Sequence, residues 1–223
     1  MTGVSIDELV TTYPRLYHVT SEGSWPSIQR HGLLSTEALL DLFKIEGDHR
    51  NQILGARRPE CVPITHPQYG KAVIRDQKPL IESKLRKALQ DGMTPCEWYR
   101  LLNRKTFFWV AERRFETLRT ARAYKGLRQT LLVVDSAKLL ARHAERVTLC
   151  PMNSGAARPM AFPRGRTTFL PIAQYPFEEY RRRRGRKEAI VELTVDYSVP
   201  DIRELVIGVS ELGGGPPEQR IWP

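Results

Sequence analysis

The chain has 223 residues, 41% hydrophobic and 27% charged, a length and balance that suit one large domain with a substantial core. No apolar run approaches the ~20 residues of a membrane helix, and Met1 to Glu8 carry neither the basic nor the apolar segment of a secretory signal. A net charge of +10 favours polyanionic partners such as nucleic acid, while three widely separated cysteines, Cys61, Cys96 and Cys150, argue against a disulfide framework and for a reducing, cytoplasmic setting.

In chain order, residues 15–20 read as a strand containing Leu16-Tyr17-His18-Val19-Thr20. A helix follows, with Ser24 as N-cap, Pro26 in the first turn, Gly32 as the stop, and Trp25 and Ile28 facing the core. A second helix starts after Ser35, with Ala38, Leu39, Leu42 and Phe43 on one stripe. Residues 46–79 read as a long, mostly irregular connection carrying His49, Arg50, Arg57, Arg58 and Arg75, and long ordered loops are disproportionately functional. Cys61 and His66 in this stretch could be half of a metal site, but no second half is visible. A helix resumes over 80–91 with Leu80, Leu85 and Leu89. Thr94-Pro95-Cys96-Glu97 is a capping box with proline at the first helical position, opening a helix through Trp98, Leu101 and Leu102.

Phe107-Phe108-Trp109-Val110 reads as an aromatic strand and residues 112–124 as a basic helix. Leu131-Leu132-Val133-Val134 is apolar on both faces, hence a central strand, and Ser136 is expected to cap the helix after it. Residues 150–170 are loop-rich, and 168–172 suggest a short strand. The dense cluster Arg181 to Lys187 reads equally as a solvated hairpin or loop and as a phosphate-contacting segment. Residues 189–195 form the clearest strand, and Val206 to Val209 another. A turn is expected at Gly213 to Pro217, after which Ile221 and Trp222 close onto a sheet edge. This mixed order favours an α+β fold over a doubly wound sheet.

The sequence has no phosphate-binding Gly-x-x-x-x-Gly-Lys loop, no Gly-x-Gly-x-x-Gly fingerprint, no Gly-x-Ser-x-Gly elbow and no His-Glu-x-x-His. Strand parity puts Leu16, His18 and Thr20 on one face of the first strand, where a His and a Thr two apart can reach one ligand. In 188–195, Ala189, Val191, Leu193 and Val195 form the core face. Glu188, Ile190, Glu192 and Thr194 form the other, with a carboxylate in mid-strand where Glu is disfavoured. Taken singly, each feature also has a plain structural reading: a satisfied core histidine and a surface glutamate.

The order of these segments resembles the ADP-ribosyltransferase-like superfamily. It is most similar to DarT-type toxins that modify DNA, and more distantly similar to RNA 2′-phosphotransferases. The matching residues are His18-Val19-Thr20, the helix with Ile28, Gly32-Leu33, Arg57-Arg58 ahead of the aromatic strand, Val191-Glu192-Leu193-Thr194-Val195, and Val199-Pro200. An Arg-Ser-Pro-Met-like turn of that family is represented only by Ala121-Arg122-Ala123, and residues 59–105 form a long insertion. The sequence is also similar to a bacterial domain family of uncharacterised function.

The resemblance implies a single domain over 1–223 with a split mixed or antiparallel sheet and flanking helices. It implies NAD as a substrate and no metal. His18 and Thr20 would hold the nicotinamide side, Phe108 or Tyr124 would stack on it, and Arg58, with Arg57 beside it, would pair with the pyrophosphate. Glu192 would hold the ribose 2′-hydroxyl, and Glu188 could orient the acceptor. Which of Arg57, Arg58 and Arg75 faces the pocket is left open by the insertion. The charge, the Arg181 to Lys187 cluster and Arg119, Arg122, Lys125 and Arg128 favour a DNA or RNA acceptor, with Trp25 and Trp109 as candidate base platforms. The rival readings are a non-catalytic nucleic-acid-binding or regulatory domain, an RNA 2′-phosphotransferase, and a partner-binding protein that has lost activity.

Overall fold

The computed structural model describes residues 3–122, 124–157, 162–213 and 219–222. Ala123 of the expected turn, and residues 214–217 of the expected Gly213–Pro217 turn, lie outside them. The chain opens with helix α1 (Ile6–Thr12), strand β1 (Arg15–Ser21), α2 (Trp25–His31), β2 (Leu33–Leu34), α3 (Thr36–Leu42) and α4 (Gly47–Gly55). A hairpin, β3 (Val62–His66) and β4 (Gly70–Ile74), leads to α5 (Glu82–Ala88), α6 (Pro95–Asn103), β5 (Lys105–Trp109) and α7 (Glu112–Thr120). The remainder is β6 (Gln129–Asp135), α8 (Ser136–His143), β7 (Val147–Cys150), β8 (Leu170–Pro171), α9 (Phe177–Arg184), β9 (Glu192–Asp196), β10 (Ser198–Val199), α10 (Ile202–Leu205), β11 (Val206–Leu212) and β12 (Gln219–Trp222).

The fold is α+β. Eight strands form one sheet in the order β12-β11-β6-β1-β5-β9-β7-β8, and every pairing in it is antiparallel. β6 is interior, as its two apolar faces require, and β12 with Trp222 closes onto the β11 edge. The pairing of β1 is lopsided. It meets β6 over seven residue pairs, from Arg15 to Ser21, but meets β5 only where Tyr17 faces Trp109. Beyond that pair the strands part and the sheet splits.

One face of the sheet carries the main core, with Leu16, Phe108, Leu132, Val134, Leu193 and Val195 under α2, α8 and α10. On the other face Trp98, Tyr99, Leu102, Cys150 and Phe169 form a second cluster, and Phe115 with Leu131 and Leu212 a third. A further cluster joins α3, α4 and the β3–β4 hairpin through Leu40, Phe43, Ile53, Leu54, Ile64 and Ile74. That cluster corrects the reading of 46–79 as irregular. Alternating Val62 and Ile64 face Ala72 and Ile74 across the hairpin, a short pattern masked by the Pro63 beside it.

Other local expectations shift for identifiable reasons. The capping box forms in full, with Thr94 accepting from the Glu97 N–H and Glu97 accepting from the Thr94 N–H. Ser24 precedes α2 but makes no cap bond, because its hydroxyl donates to the Ser21 carbonyl at 2.6 Å. Asp135, not Ser136, caps α8. The basic helix ends at Thr120 and the 80–91 helix contracts to α5. The clearest strand begins only at Glu192. The Arg181 to Arg184 run is neither hairpin nor loop but the last turn of α9, where cations suit the helix dipole.

Two short motifs turn out to be partners. β2 after Gly32 pairs with β10 before Pro200. Gly32 sits at φ +82°, and a Cβ there would lie 2.6 Å from the Pro200 Cα. Gly32→Ala is therefore expected to lower stability by more than ~1 kcal/mol, measured by urea unfolding, whereas Gly92→Ala, at φ +67° with open space around it, should cost less.

Candidate functional site

The parting of β1 from β5 leaves backbone groups without ladder partners, and buried backbone groups need partners. Two side chains supply them. The Phe107 carbonyl accepts from His18 Nδ1 at 2.8 Å, and the Val19 carbonyl accepts from Arg75 Nη1 at 3.5 Å. This bond fixes the His18 tautomer: Nδ1 carries the proton and Nε2 keeps its lone pair. Burial, reinforced by the Arg75 charge, lowers the His18 pKa to about 4 against the pull of the Phe107 carbonyl. His18 is neutral across the physiological range.

A cavity of about 400 Å³ fills the parting, and His18, Thr20, Arg58, Arg75, Phe108, Tyr124, Ser154 and Glu192 all border it. Register explains why it is lined from both sides. Trp109 faces both Tyr17 and Glu192, so Glu192 belongs to the Tyr17 face and His18 and Thr20 to the opposite one. Only where β1 and β5 have separated can both sets border a single space. The cavity continues between Ile28 and His31 of α2, Leu39 and Leu42 of α3, and Lys71 to Ile74 of β4.

Glu192 is buried, not a surface residue. Both carboxylate oxygens accept from the Ser154 N–H, each at 3.2 Å. Burial raises its pKa to about 7, and hydrogen bonds from Ser154 and the nearby Arg164 charge pull it only part of the way back. A carboxyl poised near neutrality in a cavity wall is an unusual thing to build for stability alone.

The other expected site residues divide. Thr20 stands on the cavity wall, its hydroxyl accepting from Ser24 at 3.3 Å. Phe108 borders the cavity by position, but its ring is fully buried in the main core on the side of Leu193, so it offers no open face for stacking. Tyr124 is buried with its hydroxyl donating to Asp76 at 2.9 Å and its ring 5.4 Å from the Arg75 guanidinium. Burial and Asp76 hold its pKa well above the tyrosine range.

Arg58 does not present a free fork. Its Nε donates to the Arg75 carbonyl, Nη1 to the Ile53 carbonyl at 2.6 Å, and Nη2 to Asn103 Oδ1. Asn103 in turn donates to the Leu54 carbonyl. The two side chains cap the C-terminal carbonyls of α4. Arg57 donates to the Lys78 carbonyl and does not border the cavity. Arg75, directly after β4, is the bordering arginine whose guanidinium is not taken up by the α4 carbonyls and Asn103. Glu188 lies in a short 3-10 turn, ion-paired with Arg113 and Arg114, and is not part of the strand with Glu192. Trp25 is core, packed against Trp222, and Trp109 is half-buried beside Phe115. The α9 arginines are largely engaged: Arg181 with Glu178, Arg183 with Glu179, and Arg184 with the Pro151 carbonyl. Cys61 donates to Asp76 while His66 stacks on Tyr69. No group of three His, Cys, Asp or Glu residues placed to hold a metal occurs among the described residues. No helix among them is long and apolar enough to cross a membrane.

Two residues escaped the sequence reading. Ser154 lies in a featureless loop, and Arg164 is a buried arginine in another. No spacing rule marks either, because each gains its position from long-range packing.

Fold and site together define an α+β protein with a split antiparallel sheet and a buried carboxyl in the cleft. The chain matches a family of unknown function (DUF7002) over residues 14–206 and belongs to that family. No curated protein matches it.

The geometry makes two predictions. Arg58→Ala should destabilise the protein by about 2–4 kcal/mol in urea unfolding, since it strips donors from several buried acceptors; an arginine held only for a ligand would leave stability unchanged. Glu192 is held above its ordinary 4.5, so the folded state binds its proton more tightly than the unfolded chain does. Its contribution is complete below pH 4.5 and is lost as pH rises through about 7. The stability of Glu192→Gln relative to wild type should therefore improve, by on the order of 2–3 kcal/mol between pH 4.5 and pH 8. Parallel unfolding curves at the two pH values check this.

Proposed function

We propose that this protein is an NAD-dependent ADP-ribosyltransferase whose substrate cleft is the parting between β1 and β5. One observation carries the reading. Glu192, His18 and Thr20, the residues on which the resemblance to ADP-ribosyltransferases rests, border the same cavity although they stand on opposite faces of the sheet. A split sheet with polar residues from both banks suits the fold of that superfamily. The volume falls in the range of about 300–1,000 Å³ common to small-molecule sites, and it is sufficient to bury a large part of a dinucleotide.

In this reading the bond between the nicotinamide nitrogen and the ribose C1′ breaks, and nicotinamide leaves with the electron pair. Positive charge develops on the ribose, as in other glycoside chemistry. Glu192 in its anionic form accepts from the 2′-hydroxyl and stabilises that charge more than it stabilises bound NAD. His18 and Thr20 orient the nicotinamide half from the other bank. Arg75, not Arg58, is the cation for the pyrophosphate, because β4 brings it to the cleft and no carboxylate pairs with it among the described residues. The acceptor nucleophile bonds to C1′ and gives up a proton.

The acceptor class that fits best is DNA or RNA. With the α9 arginines engaged and Arg75 given to the pyrophosphate, the cation for it on the cavity wall is Lys71, supported by the overall +10 charge. A non-catalytic nucleic-acid-binding domain would share the charge but has no use for a buried carboxyl that titrates near neutrality.

Labelled NAD incubated with DNA, RNA and protein acceptors tests the reading. Wild type should transfer label, with a rate that climbs as pH rises through about 7. Glu192→Gln should lose ~10²–10³ in kcat with little change in KM. Failure of wild type to bind or consume NAD with any acceptor would overturn the function, and full activity in Glu192→Gln would overturn the mechanism.

A further inference from the structure

Glu192 is not met by any side-chain cation at ion-pairing distance among the described residues. It is held by a peptide. The Ser154 N–H reaches both carboxylate oxygens, and the carbonyl of the same residue accepts from Arg164 Nη1 at 3.0 Å. Arg164 is one of the largest fully buried side chains in the protein. Its Nε donates to the Phe162 carbonyl at 3.0 Å, and its guanidinium lies 5.6 Å from the centre of the Trp98 ring. A buried guanidinium costs several kcal/mol unless its surroundings repay it, so its retention needs a reason.

The backbone of Arg164 is fixed as firmly as its side chain. Its N–H donates to the Ala88 carbonyl and its carbonyl accepts from the Gln90 N–H, each at 2.9 Å. Gly165, next to it, lies close under the Asp91 carboxylate, whose Oδ2 would be 2.6 Å from a Cβ built there. Arg166 pairs with Glu97. The partners Ala88, Gln90, Asp91, Glu97 and Trp98 all belong to the 80–103 segment that carries α5 and α6. This segment has no direct bond to Glu192, yet it anchors the residue that grips the Ser154 loop.

We propose that Arg164 is a positioning residue of the Glu192 centre: it fixes the Ser154 peptide that holds the carboxylate. The α5–α6 segment is then the scaffold of that centre. The proposal deepens the functional reading above, in which Glu192 must be anionic to act, but the link between the two residues stands whatever the reaction is.

Among the described residues, four groups surround Glu192. Arg164 and Ser154 approach from the two loops. Cys150, at the end of β7, is its register partner and is itself held protonated by burial and by Glu192. Arg114 of α7 feels the Glu192 charge but bonds to Glu188. Arg164 is thus the cation whose removal acts most directly, and its field lowers the Glu192 pKa.

The test uses the whole protein with ¹³C-carboxyl glutamate and ¹⁵N-arginine labels, and nuclear magnetic resonance titration across pH 5–9, assigning Glu192 by its loss in Glu192→Gln. In wild type the Arg164 Nε resonance should shift at the same midpoint as the Glu192 carboxyl and stop doing so in Glu192→Gln. In Arg164→Met the carboxyl midpoint should rise by about one unit, a roughly ten-fold weaker acid. Arg164→Lys, which keeps charge but not the fork, should fall between. An Arg164 resonance indifferent to the Glu192 titration, or an unmoved midpoint in either folded variant, overturns the proposal. If Arg164→Met does not fold, wild type and Arg164→Lys decide it. The rise of NAD turnover with pH should move with the carboxyl midpoint; coupled titration without any NAD turnover would leave this inference standing and sink the transferase reading.

Discussion

The structure turns on the single register pair Tyr17–Trp109, where β1 and β5 touch before separating. An antiparallel sheet normally satisfies its backbone by continued pairing, and ending that pairing inside a fold exposes carbonyls to a low-dielectric interior. His18 and Arg75 answer this cost by taking the freed carbonyls of Phe107 and Val19. Having given its Nδ1 proton to that role, His18 is locked in one tautomer and kept neutral. The same bond that makes the split tolerable therefore prepares one bank of the cleft.

The opposite bank depends on the other cost of the split, a buried carboxyl. Glu192 sits on β9 between β5 and β7, both of which pair with it along its length. Its desolvation is offset by a single loop amide and a charge acting from behind that loop. The balance leaves it near its neutral midpoint instead of fully ionised, so its protonation is sensitive to small changes in the cleft. His18 and Glu192 load the stability curve in opposite directions. The histidine, held below its ordinary 6.5, contributes stability that is lost as pH falls toward about 4. The glutamate contributes stability that is lost as pH rises through about 7.

The sequence was legible where chemistry is local. The Thr94 box, the Gly32 stop and the apolar runs of β6 follow from patterns a few residues long. So does the pairing of His18 with Thr20. It was opaque where meaning comes from distant partners. Arg58 reads in sequence as a loop arginine for the pyrophosphate, yet it caps α4 because Asn103, on α6, completes the site. Phe108 and Phe107 are indistinguishable in sequence, and only register with Leu193 and Thr194 sends the first to the core and the second to the other face. Glu188 and Glu192 share a face on strand parity, but the strand starts late and separates them. Ser154 and Arg164 lie in segments with no periodicity at all, and each is defined by what folds against it.

A crystal structure with an uncleavable NAD analogue, in which carbon replaces the ring oxygen of the nicotinamide ribose, tests the central claim most directly. The account predicts the nicotinamide ribose in the β1–β5 parting, with its 2′-hydroxyl within hydrogen-bond distance of Glu192 and the pyrophosphate toward Arg75. An analogue that does not bind at millimolar concentration, or that binds away from His18 and Glu192, would contradict it.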